Sequence, residues 1–62
     1  MPPLSEVMAG LKSAVWSERS EAVLAAGHGH YKETIPLLLS LLSSDPNPAV
    51  RSTAALVLAD LG

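Results

Sequence analysis

Cysteine is absent from this chain of 62 residues, which excludes disulfides and zinc sites built on thiolates. Aromatic residues are scarce, with one Trp, one Tyr and no Phe. The 48% of residues that are hydrophobic are therefore mainly Leu, Ala and Val, a composition that suits helices packed closely through small side chains. A chain of this length makes one small domain and lies near the lower size limit for folding alone.

Positive charge is scarce as well, since four Lys and Arg residues stand against six Asp and Glu residues. Such a chain cannot form the basic surface that neutralises phosphates, so we expect no nucleic-acid partner. No apolar run approaches the ~20 residues of a membrane span, and the first residues lack the basic start and apolar core of a signal peptide. We therefore expect a soluble, cytoplasmic protein that does not bind membranes.

Apolar residues instead recur with the three- and four-residue spacing of a helix. One set is Leu4, Val7, Met8 and Leu11, and a second is Ile35, Leu38, Leu39 and Leu42. Runs rich in Ala and Leu, which favour helix, follow each set at 22–26 and 54–59. No stretch alternates with period two. The sequence predicts an all-α fold with four helices, at about 3–14, 17–27, 32–43 and 48–61.

Proline and capping residues place the ends of these helices. Pro46 and Pro48 disfavour helical backbone in the residues before them, so the third helix must end near Ser44. Asn47 is then the predicted N-cap of the fourth helix, with Pro48 at its first position. Ser17 is the predicted N-cap of the second helix.

The chain consists of two copies of one helix pair. The first apolar set aligns with the second at an offset of 31 residues. Arg19-Ser20-x-Ala22 aligns with Arg51-Ser52-x-Ala54 at an offset of 32, because the turn of the second copy is one residue longer. Helix pairs repeated at such a period are typical of an α-solenoid, and a simple four-helix bundle would not explain the repeat.

The second copy carries a recognisable pattern. Ile35-Pro36 opens a Leu-rich helix, Asp45-Pro46-x-Pro48 forms a turn, and Val50-Arg51-x-x-Ala54-Ala55 lies in the next helix. This pattern resembles the HEAT repeat family in its short form, which is similar to armadillo-like and PBS-lyase-like α-solenoid repeats. The resemblance implies one domain, residues 1–62, of two repeats at about 3–30 and 31–62. They would stack as two helical hairpins in a short right-handed α–α superhelix.

The first copy departs from the family pattern. It keeps Arg19 and Ala22, but it lacks the Asp-Pro turn and has Glu18 where Val50 stands. The resemblance implies that Arg19 and Arg51 point at the turns between paired helices. There Arg19 can pair with Asp45 of the next repeat, which would form an inter-repeat ladder. The alternative is that both arginines are solvated surface charges, since exposed ion pairs contribute only ~0–1 kcal/mol.

The second helix of each repeat usually lines the concave face of such a fold. Leu24 and Leu56 would occupy equivalent outward positions there and form the apolar strip of a shallow protein-binding groove. The candidate groove residues are Glu21, Leu24, His28, Thr53, Leu56 and Asp60. Isolated surface leucines need no explanation, so the alternative is a pair of helix formers that binds nothing.

Two repeats are fewer than the ~3 that a solenoid usually needs, because each copy covers only one side of the other. We therefore expect the exposed ends to pair, most simply in a C2 homodimer, or the chain to be a fragment of a longer array. Trp16 is a candidate anchor, with a Trp packed over its own turn as the alternative. The candidate self-association residues are Met8, Val15, Trp16, Val57 and Leu61.

Patterns that carry chemistry are missing. The chain has no glycine-rich phosphate loop, no cysteine nucleophile and no carboxylate pair placed for acid–base work. His28 and His30 could begin a zinc or nickel site, but two ligands are too few, and flanking glycines would hold them loosely. We predict no catalytic residue, no metal site and no cofactor. His28 falls on the groove side, and His30 falls where a helix-ending glycine is expected.

Two functional hypotheses follow. The first is a non-catalytic interaction or scaffold module that self-associates and binds a protein or peptide. The second is a fragment or minimal unit of a longer repeat protein with no ligand of its own. Some short HEAT proteins resemble bilin lyases, but nothing in this sequence beyond the repeat supports that enzymatic alternative.

Overall fold

Residues 2–62 are described by a computed structural model, and within that range the fold consists of helices and turns without a strand. Four α-helices are formed: α1 (Leu4–Leu11), α2 (Trp16–His28), α3 (Ile35–Ser44) and α4 (Pro48–Leu61). A single 3-10 turn, Lys32–Thr34, leads into α3. The prediction of an all-α, HEAT-like fold of four helices is confirmed.

The first helix ends three residues earlier than predicted. The N–H groups of Lys12 and Ser13 donate to the carbonyls of Ala9 and Gly10, which tightens and closes the last turn of α1. Ser13 Oγ then accepts the N–H of Val15 at 3.1 Å, so the chain turns instead of continuing as helix.

The prediction that Ser17 caps α2 is wrong. The N-cap is Val15, and no side chain caps this helix end. The turn at Ser13 brings the chain into helical backbone at Trp16. Ser17 therefore lies inside the helix and cannot be its N-cap. At the start of α4 the prediction is confirmed, because Asn47 Oδ1 accepts the N–H of Ala49 at 2.8 Å and Pro48 is the first helical residue.

The end of α2 has a Schellman motif with a histidine in the position that glycine usually takes. The N–H of Tyr31 donates to the carbonyl of Ala26 at 3.0 Å, and the N–H of His30 donates to the carbonyl of Gly27 at 3.1 Å. His30 adopts a φ of 52°, in the left-handed region that side chains disfavour. The expectation that His30 occupies a glycine-type position therefore agrees with its backbone.

The two longest helices lie side by side at the centre of the molecule. α2 packs against both α1 and α4, and α4 packs in turn against α3. The core between them is formed by Val7, Leu11, Ala22, Val23, Ala26, Leu38, Ala54, Val57 and Leu61. Small residues set the helix separations, since a Cβ added to Gly10 would lie 2.8 Å from the Cβ of Ala22.

Candidate protein-interaction surfaces

A partly buried ion pair joins the two helix pairs near their turns. Arg19 Nε donates to Asp45 Oδ2 at 2.7 Å, and Arg19 Nη2 donates to Asp45 Oδ1 at 3.0 Å. The side chain of Asp45 is 1% exposed and also accepts the N–H of Asn47 at 2.9 Å. This bidentate geometry is the one in which guanidinium–carboxylate pairs are strongest.

The surroundings of Asp45 favour its charged form. The hydrogen bond from Arg19 is the main cause that lowers the pKa of Asp45 below its ordinary value. Burial opposes this effect, and the N–H of Asn47 and the charges of Arg19 and Arg51 reinforce it. The same bond raises the pKa of Arg19. Both groups are therefore charged at neutral pH, and the pair is a structural tie between repeats.

Arg19 binds both the carboxylate of Asp45 and a backbone carbonyl of its own turn, whereas Arg51 binds only a backbone carbonyl. Arg19 Nη1 donates to the carbonyl of Ser13 at 2.9 Å, and Arg51 Nη1 donates to the carbonyl of Asp45 at 2.6 Å. Ser13 and Asp45 are equivalent at the repeat offset of 32, so the two arginines hold their own turns in the same way. Within residues 2–62, however, no carboxylate lies at ion-pair distance from Arg51.

The six candidate groove residues differ in exposure. Leu24 is 48% exposed and Leu56 is 70% exposed, which are high values for large apolar side chains. Glu21, His28 and Asp60 are also exposed, whereas Thr53 is half-buried and donates its hydroxyl to the carbonyl of Ala49 at 2.8 Å. A shallow depression of about 480 Å³ borders Leu24, lined also by Pro2, Glu21, Ala25 and His28.

The expectation that Val57 and Leu61 lie exposed at the end of the molecule is wrong. Both are buried in the core, because α4 turns this face toward α2 and α3. Val57 packs onto α2, where a Cβ added to Gly27 would lie 3.2 Å from both of its Cγ atoms. Met8 is partly buried and packs against the core as well.

The other two candidate self-association residues lie at the surface. Val15 and Trp16 are each about half exposed. Trp16 lies beside the turn of the second helix pair, where it lines a shallow depression with Pro46 and Pro48. Ala14, in the turn of the first pair, lines the same depression, so Trp16 lies between the turns of the two pairs.

Two exposed leucines were not among the sequence-derived candidates. Leu39 is 52% exposed and Leu42 is 37% exposed, both on α3. Their counterparts at the repeat offset of 31, Met8 and Leu11, are partly buried and buried. Helical periodicity places all four on apolar faces, and only their burial in the tertiary structure distinguishes the covered pair from the uncovered one.

The described residues offer no cluster of metal-binding side chains. In residues 2–62, no three His, Asp or Glu side chains come together as a metal-ligand group. His28 and His30 are both exposed. In the same range, no helix has the length and hydropathy that crossing a bilayer requires.

Comparison with known proteins agrees with this geometry. No curated protein and no solved structure matches the chain. The family model described as HEAT repeats matches residues 4–62, which span all four helices. Repeats of this family are typically non-catalytic and mediate protein interactions. The stacked helix pairs and this match show that the chain belongs to the HEAT repeat family.

Proposed function

We propose that this HEAT repeat chain is a non-catalytic interaction module of the cytoplasm, that it binds a protein or peptide, and that it self-associates through its ends. The binding surface is the outward face of α2 and α4, formed by Glu21, Leu24, His28, Thr53, Leu56 and Asp60. We call these six residues the inner-helix surface.

Exposure of Leu24 and Leu56 is the observation that carries the proposal. The two leucines occupy equivalent positions at the repeat offset of 32, on helices that pack side by side. Their exposed fractions of 48% and 70% leave an apolar strip with Glu21 and Asp60 on the same helices. An amphipathic segment with leucine-type anchors and basic flanks has the complementary chemistry.

A peptide-display selection against the purified chain tests the proposal. Enriched peptides would be synthesised and titrated into 15N-labelled protein, and chemical-shift changes would be mapped by residue. We expect the changes to cluster on the inner-helix surface. We also expect Leu56→Lys to weaken peptide binding about tenfold or more, because it removes an exposed anchor without touching the core.

Ala9→Lys is the control, since it introduces the same charged side chain at an exposed position of α1 outside the inner-helix surface. This variant should bind the same peptides as the wild type does. Enriched peptides that shift residues elsewhere, or that bind Leu56→Lys as tightly as wild type, would contradict the assignment of this surface.

A further inference from the structure

The end of the molecule formed by α3 and α4 exposes residues whose counterparts in α1 and α2 are covered. Leu11 is buried, whereas its counterpart Leu42 is 37% exposed. Val23 is buried, whereas its counterpart Ala55 is exposed. The difference arises because α4 packs on α2 of the first helix pair, and no further helix in residues 2–62 packs in the same way on α4.

Close helix approach shows the same difference. Gly27 of α2 lies against the side chain of Val57. Ala59 of α4, the counterpart of Gly27, is exposed. The residues that form this uncovered end are called the open face: Leu39, Leu42, Arg51, Ala55 and Ala59. It combines apolar and small side chains with one cation, and a carboxylate on an occupant would complement Arg51 as Asp45 complements Arg19.

The opposite end of the molecule offers such a carboxylate. Ser13 Oγ accepts the N–H of Val15 just as Asp45 Oδ1 accepts the N–H of Asn47, so the two turns have the same local geometry. Serine carries no charge, but its hydroxyl donates to Glu18 Oε1, so a carboxylate lies beside Ser13, the counterpart of Asp45. Glu18 is exposed.

Further acidic and small residues surround Glu18. A groove of about 210 Å³ between α1 and α2 is lined by Glu6, Glu18, Glu21, Ala22 and Ala25, together with Pro2 and Val7. Ala25 is the counterpart of Val57, the residue that packs onto α2 from the second helix pair. This end is called the acidic face, and its charge is opposite to that of Arg51.

We infer that the open face of one copy docks on the acidic face of a second copy, with Arg51 on the Ser13–Glu18 carboxylate. This inference rests on the proposed self-association and specifies its geometry. The contact repeats between copies the packing of α4 on α2 and the Arg19–Asp45 pair within one copy. Such a head-to-tail contact is heterologous and does not close, so it extends the solenoid instead of ending in a C2 dimer.

Sedimentation equilibrium from micromolar to millimolar concentration tests the inference with charge-reversal variants. The wild-type average mass should keep rising with concentration beyond that of a dimer. Arg51→Glu and Glu18→Arg should each weaken association about tenfold or more, since each places like charges in the contact. An equimolar mixture of the two variants should associate again, because the carboxylate introduced in one chain then faces the guanidinium introduced in the other.

The controls are Lys32→Glu and Glu33→Arg, which make the same charge changes in the exposed turn before α3, at the opposite end of α2 and α4. Both should associate as the wild type does. Ala59→Gln adds an uncharged obstacle on an exposed position of the open face and should weaken association even if Arg51→Glu unfolds, which circular dichroism would reveal.

Three results would overturn the inference. One is a wild-type mass that stays monomeric at millimolar concentration, and another is a mass that stops at the dimer with Glu18→Arg unaffected, as in a C2 pairing of open faces. The third is a variant mixture no more associated than its components. Peptide binding on the inner-helix surface, followed with Leu56→Lys, is a separate readout and would survive each of these results.

Discussion

Arg19 and Asp45 form a bidentate, partly buried ion pair that joins the two helix pairs near their turns, with N–O distances of 2.7 and 3.0 Å. The carboxylate is 1% exposed and has a third hydrogen bond from the backbone of Asn47. Removing Arg19 would leave the Asp45 carboxylate buried without its counter-charge, and removing Asp45 would leave the partly buried guanidinium without its acceptor. A short solenoid of two repeats is thus tied together by a polar contact as well as by its core.

Asp45→Ala should lower the free energy of unfolding by about 2–3 kcal/mol, because the guanidinium and the Asn47 N–H both lose their acceptor. Urea denaturation followed by circular dichroism measures this loss. Glu33→Ala is the control, since an exposed carboxylate in the turn before α3 should change stability by less than about 0.5 kcal/mol. Equal stability of the two variants would show that the ion pair contributes nothing.

Acid should lower the free energy of unfolding, because it protonates the Asp45 carboxylate. The pKa of Asp45 is lower in the folded chain than in the unfolded chain, so its contribution is complete above the unfolded value of about 3.9. That contribution is lost as the pH falls through the lower, folded pKa. In urea titrations between about pH 5 and pH 2, the stability difference between wild type and Asp45→Asn should therefore shrink. A difference that stays constant with pH would contradict this assignment.

Gly10→Ala should destabilise the packing of α1 on α2. The new Cβ would lie 2.8 Å from the Cβ of Ala22, and neither methyl group can rotate away. Overpacking of about 1–3 kcal/mol then exceeds the ~1 kcal/mol that alanine gains over glycine inside a helix. Thermal unfolding measures the net loss. Ala22→Gly in the same chain should restore part of it, and a stabilising Gly10→Ala would show that the helices can separate freely.

His30→Gly should stabilise the protein by about 0.5–1 kcal/mol, since glycine adopts the left-handed backbone without the strain of a side chain. The midpoint of thermal unfolding should rise by about 2–8 °C in a domain of this size. His28→Gly is the matched control, because His28 lies within α2, where glycine destabilises the helix. A His30→Gly variant less stable than wild type would mean that the imidazole has a stabilising role.

Leu38→Ala should lower the free energy of unfolding by about 2–5 kcal/mol, because this side chain is completely buried in the core. Leu39→Ala, one residue further on, should cost less than about 0.5 kcal/mol in dilute solution, since it is 52% exposed. Urea denaturation of the two variants measures the contrast. A larger loss for Leu39→Ala would contradict the helix orientation.

Much of the fold can be predicted from local patterns. The spacing of Leu4 to Leu11 and of Ile35 to Leu42 predicts helices, because an amphipathic helix must bury one stripe. Pro46, Asn47 and Pro48 place the start of α4 correctly, since backbone restriction and capping act within a few residues. At the start of α2 the same reasoning predicts Ser17 as the N-cap, whereas the N-cap is Val15. The hydrogen bond from the Val15 N–H to Ser13 that turns the chain there has no strong sequence signal.

By itself, the sequence determined the helices, the repeat and the counterpart of every residue, since periodicity and turn chemistry are local properties of the chain. Only the tertiary structure decided which counterparts are covered. Val57 and Leu61 are buried, whereas Leu39, Leu42 and Leu56 are exposed, although all five are apolar residues of amphipathic helices. The physical reason is that a side chain is buried only where a neighbouring helix covers it. In a stack of two helix pairs, one side of each pair has no neighbouring helix.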